Sequence, residues 1–265
     1  MARMLFEQRS RAESFGAVAE LYHRVRPSYP AALIDALLVG APTVRPRALD
    51  VGCGTGIVAG LLAARGCDML GVEVDERMAQ VARANGIAVE VAPFERWQPE
   101  GRSFQLACCG QAWHWIDPVL GAQRAAAALA PGGLLGLFWN FGAPPPAVAE
   151  LFDPIYARYA PRLEEYSVLL GSNDARAQTA LAGIAAAEAF ESAETRTFAW
   201  HKTHTREQWL DLLQTHSDHQ ALVPERRARL LAAIGEAIDL LGGSFEMPYE
   251  ATLVTARRLA TAPAA

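Results

Sequence analysis

Hydrophobic positions follow two different periods along this chain, and the switches between them mark out its elements. Short apolar runs at 47–51, 69–73, 88–91, 104–109 and 134–139 read as strands, and stretches with apolar residues at helical spacing at 57–64, 77–85 and 119–130 read as helices between them. Near-continuous apolar strands alternating with helices predict a parallel sheet covered on both faces, joined by right-handed crossovers. Ligands of such a sheet bind at the carboxyl ends of the strands, so the residues that follow each strand become the candidates. The expected fold class is α/β, a doubly wound, mostly parallel sheet.

The flanks of this core carry other patterns. Ala17, Val18, Leu21, Tyr22 and Val25 recur at helical spacing and predict an amphipathic cap helix, which Arg26-Pro27-Ser28-Tyr29-Pro30 breaks. Leu33, Ile34, Leu37 and Leu38 mark a second helix. Phe141-Gly142-Ala143-Pro144-Pro145-Pro146 reads as a stiff hinge or linker. The stretch 147–190 has no strand signal and one clear helical face, with Val148, Phe152 and Tyr156 on it, and is expected as a helical insertion over the carboxyl edge of the sheet. Alternating β-formers at 195–200 and 249–256 bring the sheet to seven strands, and between them Thr205 and Gln208 form a capping box and Pro224 opens a further helix. The expected organisation is a single domain over 1–265: N-terminal cap 1–40, cofactor-binding core 41–140, helical insertion 141–192, and C-terminal strands and helices 193–258.

The candidate chemistry sits at the first strand end. Ala48-Leu49-Asp50-Val51-Gly52-Cys53-Gly54-Thr55-Gly56 runs from an apolar strand through an acid into three glycines at alternate positions, and an Ala/Leu-rich helix follows. Glycine permits the positive φ of a tight loop and lets a ligand approach the backbone, and a helix starting there adds the unpaired donors of its first turn. This is the arrangement of a nucleotide-cofactor loop. Glu73 closes the next strand about twenty residues further on, where βαβ units place an acceptor for ribose hydroxyls. Gly54-Thr55-Gly56-Ile57-Val58-Ala59 also satisfies a dinucleotide pattern, so the glycines alone leave NAD(P) and adenosylmethionine open. The carboxylate of Asp50 favours the second, because it suits an ammonium group better than a pyrophosphate.

Taken with Gly71-Val72-Glu73 and Leu129-Ala130-Pro131-Gly132-Gly133, the segment Asp50 to Gly56 resembles class I S-adenosylmethionine-dependent methyltransferases. The likeness is to the small-molecule branch that includes trans-aconitate methyltransferase-like enzymes. The resemblance implies a Rossmann-like seven-stranded fold with its last strand antiparallel, S-adenosylmethionine as cofactor and S-adenosylhomocysteine as product. It further implies that Asp50 contacts the methionine ammonium, that the backbone of Gly52, Cys53, Gly54 and Gly56 faces the methionine and ribose, and that Glu73 accepts the ribose hydroxyls. Val74 and Met78 are expected against the adenine, and Pro93, Phe94 and Glu95 at its edge. Tyr22 and Arg26, in Tyr-x-x-x-Arg-Pro-x-Tyr-Pro, are expected to close over the methionine end. Gly110-Gln111-Ala112-Trp113-His114-Trp115 resembles the Gln-Ala-x-His-Trp motif of the same branch, with Gln111 facing the cofactor and His114 placed to orient or deprotonate an acceptor. A departure stands at Gln105, where the family usually has aspartate.

Composition adds limits. A net charge of −5 gives no basic face for nucleic acid. Four cysteines, none in a C-x-x-C pair, are expected as reduced thiols, and no apolar window has the length of a membrane span. The opening residues Met1-Ala2-Arg3-Met4-Leu5-Phe6-Glu7 have no long apolar core, so a cytoplasmic protein is expected, as monomer or homodimer. His201 with His204 and His216 with His219 lack the cysteines or H-E-x-x-H context of zinc sites, and no metal is expected. Thr215, His216 and Ser217 are expected at the border of an acceptor pocket, and Trp113, Trp115, Trp139 and Phe141 as its apolar lining or as core. The function expected is methyl transfer to a small molecule, with O-methylation of a carboxylate or hydroxyl favoured. An NAD(P)-dependent oxidoreductase is the alternative, disfavoured by Asp50, by the Pro131-Gly132-Gly133 turn and by the lack of a Tyr-x-x-x-Lys pair. A non-catalytic nucleotide-binding protein is the third.

Overall fold

Every apolar run of the core becomes a strand, and all but 88–91, where Val89 alone is buried, are largely buried. The computed structural model describes residues 15–161, 163 and 173–260; the stretches 1–7 and 261–265 lie outside the described residues. In chain order the elements are a 3-10 turn (Phe15–Val18), α1 (Ala19–Val25), α2 (Ala31–Gly40), β1 (Arg47–Val51), α3 (Ile57–Ala63), β2 (Asp68–Glu73), α4 (Glu76–Ala84), β3 (Ala88–Val91) and β4 (Phe104–Gly110). A second 3-10 turn (Trp113–Trp115) precedes α5 (Pro118–Ala128), β5 (Leu129–Gly142), α6 (Pro146–Tyr159), α7 (Asn173–Ala186) and β6 (Glu194–Thr205). The chain then runs through α8 (Arg206–Gln214), α9 (Ser217–Gln220), α10 (Pro224–Leu240) and β7 (Ser244–Arg257).

The strands form one seven-stranded sheet in the order β3-β2-β1-β4-β5-β7-β6. β1 pairs in parallel with β2 and β4, and β7 runs antiparallel between β5 and β6. The order reverses between β1 and β4, and such a reversal opens a crevice at the carboxyl ends of the two strands. Leu33 and Leu37 of α2, Val58 and Leu62 of α3, and Ala79 and Ala82 of α4 cover one face of the sheet. Ala122 and Ala125 of α5 and Ala177, Ala180 and Ile184 of α7 cover the other, with Trp139 and Leu137. A third apolar cluster joins Val25, Phe152, Trp209, Ile234 and Phe245 above the crevice.

Local signals explain several boundaries. Asp117 caps α5 by accepting from the backbone of Val119 and Leu120, with Pro118 in the first turn, and Thr205 and Gln208 close their capping box at α8. Gln105 accepts the Arg47 backbone N–H at 2.8 Å, so the side chain that departs from the family pattern ties the starts of β1 and β4 together. The structure corrects three expectations. Helix α5 stops at Ala128, because Leu129 already pairs with Phe104 as β5 begins. Phe141 and Gly142 are strand rather than linker, paired with Glu250 and Tyr249. The expected insertion 141–192 divides: α6 joins the third cluster, whereas α7 is a sheet-covering helix. Gly183 shows how close α7 comes to α5, since a Cβ there would lie 2.5 Å from the Pro118 carbonyl oxygen.

Candidate active site

The glycine loop leaves β1 in the left-handed region, with φ of +64° at Gly52. A Cβ at Gly52 would stand 2.5 Å from the Ala112 methyl group, so glycine is what allows the loop to close against the segment after β4. Its donors are largely used within the protein. The N–H groups of Gly52 and Cys53 donate to the Val72 carbonyl, that of Gly54 to Glu73 at 2.8 Å, and that of Gly56 to the Cys53 carbonyl. In the first turn of α3 the Ala59 N–H donates to Asp50 at 3.1 Å. The expectation of free donors is therefore corrected for the glycine loop, whereas in the helix start the carboxylate of Asp50 takes up the Ala59 N–H. A pyrophosphate here would meet an acid where a dinucleotide site offers free N–H groups.

Asp50 and Glu73 end adjacent strands and are both buried. Glu73 accepts from the backbone of Gly54 on Oε2 and of Val74 and Asp75 on Oε1, which fixes its carboxylate and leaves one lone-pair site, on Oε2. Burial raises the pKa of Glu73, and burial raises that of Asp50 to about 7 against a backbone hydrogen bond that lowers it. An ammonium group beside Asp50 would supply the missing counter-charge.

The crevice holds two chambers. The smaller, about 190 Å³, is lined by Glu73, Val74, Met78, Pro93, Phe94 and Glu95, with Trp115 and His114 at its side. The larger, about 740 Å³, begins at Asp50, Cys53 and Thr55 and extends between Phe152, Trp209, Leu213, Met247 and Tyr249. Tyr22, Arg26, Gly52, Gly54 and Gln111 line both, as do His216 and Asp218, so the chambers adjoin at these residues. Gly56 lines neither. It caps α3 with φ of +82°, and a Cβ there would press on Ala82 and Ile87, so its work is conformation and helix packing.

Other side chains fix the junction. Gln111 has a φ of +61°, uncommon for a residue with a side chain, and its amide donates to the Asn140 carbonyl at 2.7 Å. Arg26 lies over the Tyr22 ring at 4.6 Å and donates to the Thr215 carbonyl, and its buried Nε has no partner among the described residues. His23 bonds Thr55, which ties α1 to the glycine loop. Thr215 is buried behind this contact, whereas His216 and Ser217 reach the lining. Trp113 and Trp139 belong to the core, Trp115 lines the smaller chamber and Phe141 lines both. His114 lines the smaller chamber and not the larger, and burial, with Arg176 nearby, holds its pKa well below the usual imidazole value. Three residues that sequence reasoning left unassigned also line the larger chamber: Asp218, His219 and Tyr156.

Residues 22–139, which hold the glycine loop and both strand-tip acids, match the model of a methyltransferase domain. That stretch is similar to a methyltransferase domain. The matched span takes in the second half of the cap helix, β1 to β4 and most of β5, and the rest of the lining comes from elements beyond it. An uncharacterized methyltransferase of Mycobacterium tuberculosis is 38% identical over 140 residues, covering 52% of this chain and 56% of that protein. The ubiquinone biosynthesis O-methyltransferase of Bordetella avium is 33% identical over 95 residues, covering 33% of this chain and 39% of its own. This chain thus spans about half the length of the curated relatives it matches, or less. Among solved structures, phosphoethanolamine N-methyltransferase 2 of Haemonchus contortus, in complex with phosphomonomethylethanolamine and S-adenosylhomocysteine, superposes with a TM-score of 0.53 at 14% identity. That superposition covers 98% of this chain and 61% of the other, and shares the fold alone. Among the described residues no helix is long and apolar enough to cross a membrane.

Proposed function

We propose that this protein transfers a methyl group from S-adenosylmethionine to an oxygen, hydroxyl or carboxylate, of a small molecule with an apolar body. The observation that carries the reading is the pair of buried acids at the tips of β1 and β2, one facing each of two adjoining chambers. In this assignment Glu73 accepts the ribose hydroxyls, Val74, Met78, Pro93 and Phe94 enclose the adenine, and Glu95 stands at its edge. Asp50 takes the ammonium, directly or through water. Arg26, with its unpartnered Nε, takes the methionine carboxylate, and Tyr22 and Gln111 close the junction. Gly52, Cys53 and Gly54 supply a wall that a ligand can approach closely. The donor chemistry fits this set: one cationic and one diol end meet two acids, and no phosphate has to be held.

S-adenosylmethionine, when bound, supplies an already activated electrophile, a methyl group on a sulfonium. What remains for the protein is alignment and exclusion of water, and alignment of two reactants is worth about 7–11 kcal/mol in favourable cases. A base is needed only where the acceptor carries a proton. His114 lies at the adenosine side and is held neutral, so its proposed role is to position the neighbouring lining rather than to take that proton. Calorimetric titration with S-adenosylmethionine, S-adenosylhomocysteine and NAD tests the reading. Binding of the two sulfur nucleosides without NAD is expected; binding of NAD alone would replace methyl transfer with oxidoreduction.

A further inference from the structure

In the assignment above Asp218, His219 and Tyr156 are not used to hold the cofactor, and they form a hydrogen-bonded chain. Asp218 and His219 come from the four-residue α9, and Tyr156 from α6, 63 positions earlier. Asp218 Oδ1 lies 2.7 Å from His219 Nδ1, and His219 Nε2 lies 3.0 Å from the Tyr156 hydroxyl. Interaction with His219 holds the Asp218 pKa down, to about 2, despite burial, so this carboxylate only accepts. His219 therefore donates from Nδ1, and with the imidazole neutral, as a proton acceptor must be, its Nε2 accepts and the Tyr156 hydroxyl donates to it. A lone pair of the Tyr156 oxygen is then left for a donor in the larger chamber, whose walls are Phe152, Trp209, Leu213 and Met247. Asp218 also lines the smaller chamber, which places the chain at the junction where donor and acceptor meet.

We propose that Tyr156, backed by His219 and Asp218, receives the proton of the methylated group, and that the acceptor is a neutral hydroxyl, a phenol or enol on an apolar ring system. The proposal rests on the methyl-transfer reading and narrows it. A carboxylate acceptor brings no proton, and its lone pairs would face the lone pair of the Tyr156 oxygen. A hydroxyl satisfies that oxygen and is poised to lose its proton. As the acceptor oxygen bonds the methyl carbon, its proton passes to the Tyr156 oxygen while the Tyr156 proton passes to His219 Nε2. The carbon–sulfur bond breaks and its electron pair stays on sulfur. The positive charge of the sulfonium reappears on the His219 imidazolium, beside the Asp218 carboxylate, so atoms and charge balance. A cation is a competing occupant, because ligand atoms of His216, Asp218 and His219 lie within 4.8 Å of one another. It would have to win ring nitrogens of His219 that already bond Asp218 and Tyr156.

The test uses 2-naphthol and 2-naphthoate, one ring system carrying a hydroxyl or a carboxylate, titrated into protein saturated with S-adenosylhomocysteine. 2-Naphthol is expected to bind at least about tenfold more tightly, and Tyr156→Phe is expected to abolish that preference while leaving S-adenosylhomocysteine affinity unchanged. With S-adenosylmethionine, His219→Gln is expected to lower kcat for 2-naphthol about a hundredfold or more while KM stays near the wild-type value. Tighter or equal binding of 2-naphthoate, binding of neither, a preference that survives Tyr156→Phe, or a kcat indifferent to His219→Gln overturns the proposal. Failure to bind S-adenosylhomocysteine at all would instead remove the methyl-transfer reading beneath it, so the two failures are distinguishable.

Discussion

Asp50 is the side chain on which solution conditions should act most visibly. Its pKa stands at about 7 in the folded protein against 3.8 for the free side chain, because burial disfavours the charge. The folded state thus holds this proton more tightly than the unfolded one, and the contribution of Asp50 to stability falls as pH rises from 3.8 towards 7. An ammonium ligand reverses the sign, since it prefers the ionised form. S-adenosylhomocysteine affinity is expected to rise about fivefold from pH 6 to pH 7, with protons released on binding, and calorimetry in buffers of different ionisation heat measures both. A flat profile would mean that Asp50 does not face the ligand. Glu73→Ala is expected to weaken the same ligand at least about tenfold, because charge-assisted bonds are worth about 1.5–3 kcal/mol. Residues of this kind are legible in a sequence because their chemistry is contiguous: a strand, an acid and a glycine loop follow one another. Gly56 was legible as a glycine of the loop but not in its role, which depends on Ala82 and Ile87 of the next helical unit.

At the scale of elements, the close approach of α7 to α5 separates a sheet-covering helix from an insertion. Gly183→Ala would force its methyl group onto the Pro118 carbonyl and is expected to destabilise the protein by about 1–3 kcal/mol, read as a lower Tm. Gly60→Ala, at an exposed position of α3 where a Cβ meets nothing within 4 Å, is expected to do the opposite, adding about 0.5–1 kcal/mol. Equal Tm for the two variants would remove the packing account of α7. The strand periods gave the parallel half of the sheet well, since buried strands are continuous apolar runs. The ends of β7 were harder. Pro248 argues against a strand, yet there β7 pairs with β6 alone, β5 having ended opposite Tyr249, and a missing N–H is tolerated at such an edge. The role of α7 was illegible because an Ala-rich face fits a sheet layer and an insertion equally well.

In the molecule as a whole, one half of the crevice is written locally and the other is assembled at a distance. The smaller chamber comes mostly from the ends of β1 to β4 and the loops after them, where short motifs named many of its residues, with Arg26, Phe141, Arg176 and His216 added from elsewhere. The larger chamber is walled by α6, α8 and β7, held together by Phe152, Trp209, Ile234 and Phe245. No short motif could show that Tyr156 would meet His219, because only the packing of that cluster joins them. On the proposed methyl-transfer reading the division has a functional sense: a constant cofactor would be bound by contiguous motifs, and the variable acceptor by whatever elements close the roof.

The central claim is that one sulfur nucleoside spans both chambers, and a crystal structure with S-adenosylhomocysteine tests it most directly. The account predicts ribose hydroxyls on Glu73, adenine between Val74, Met78 and Phe94, the amino group toward Asp50, and sulfur at the junction beside Tyr22 and Gln111. Ligand bound elsewhere, or with both carboxylates uncontacted, would contradict it.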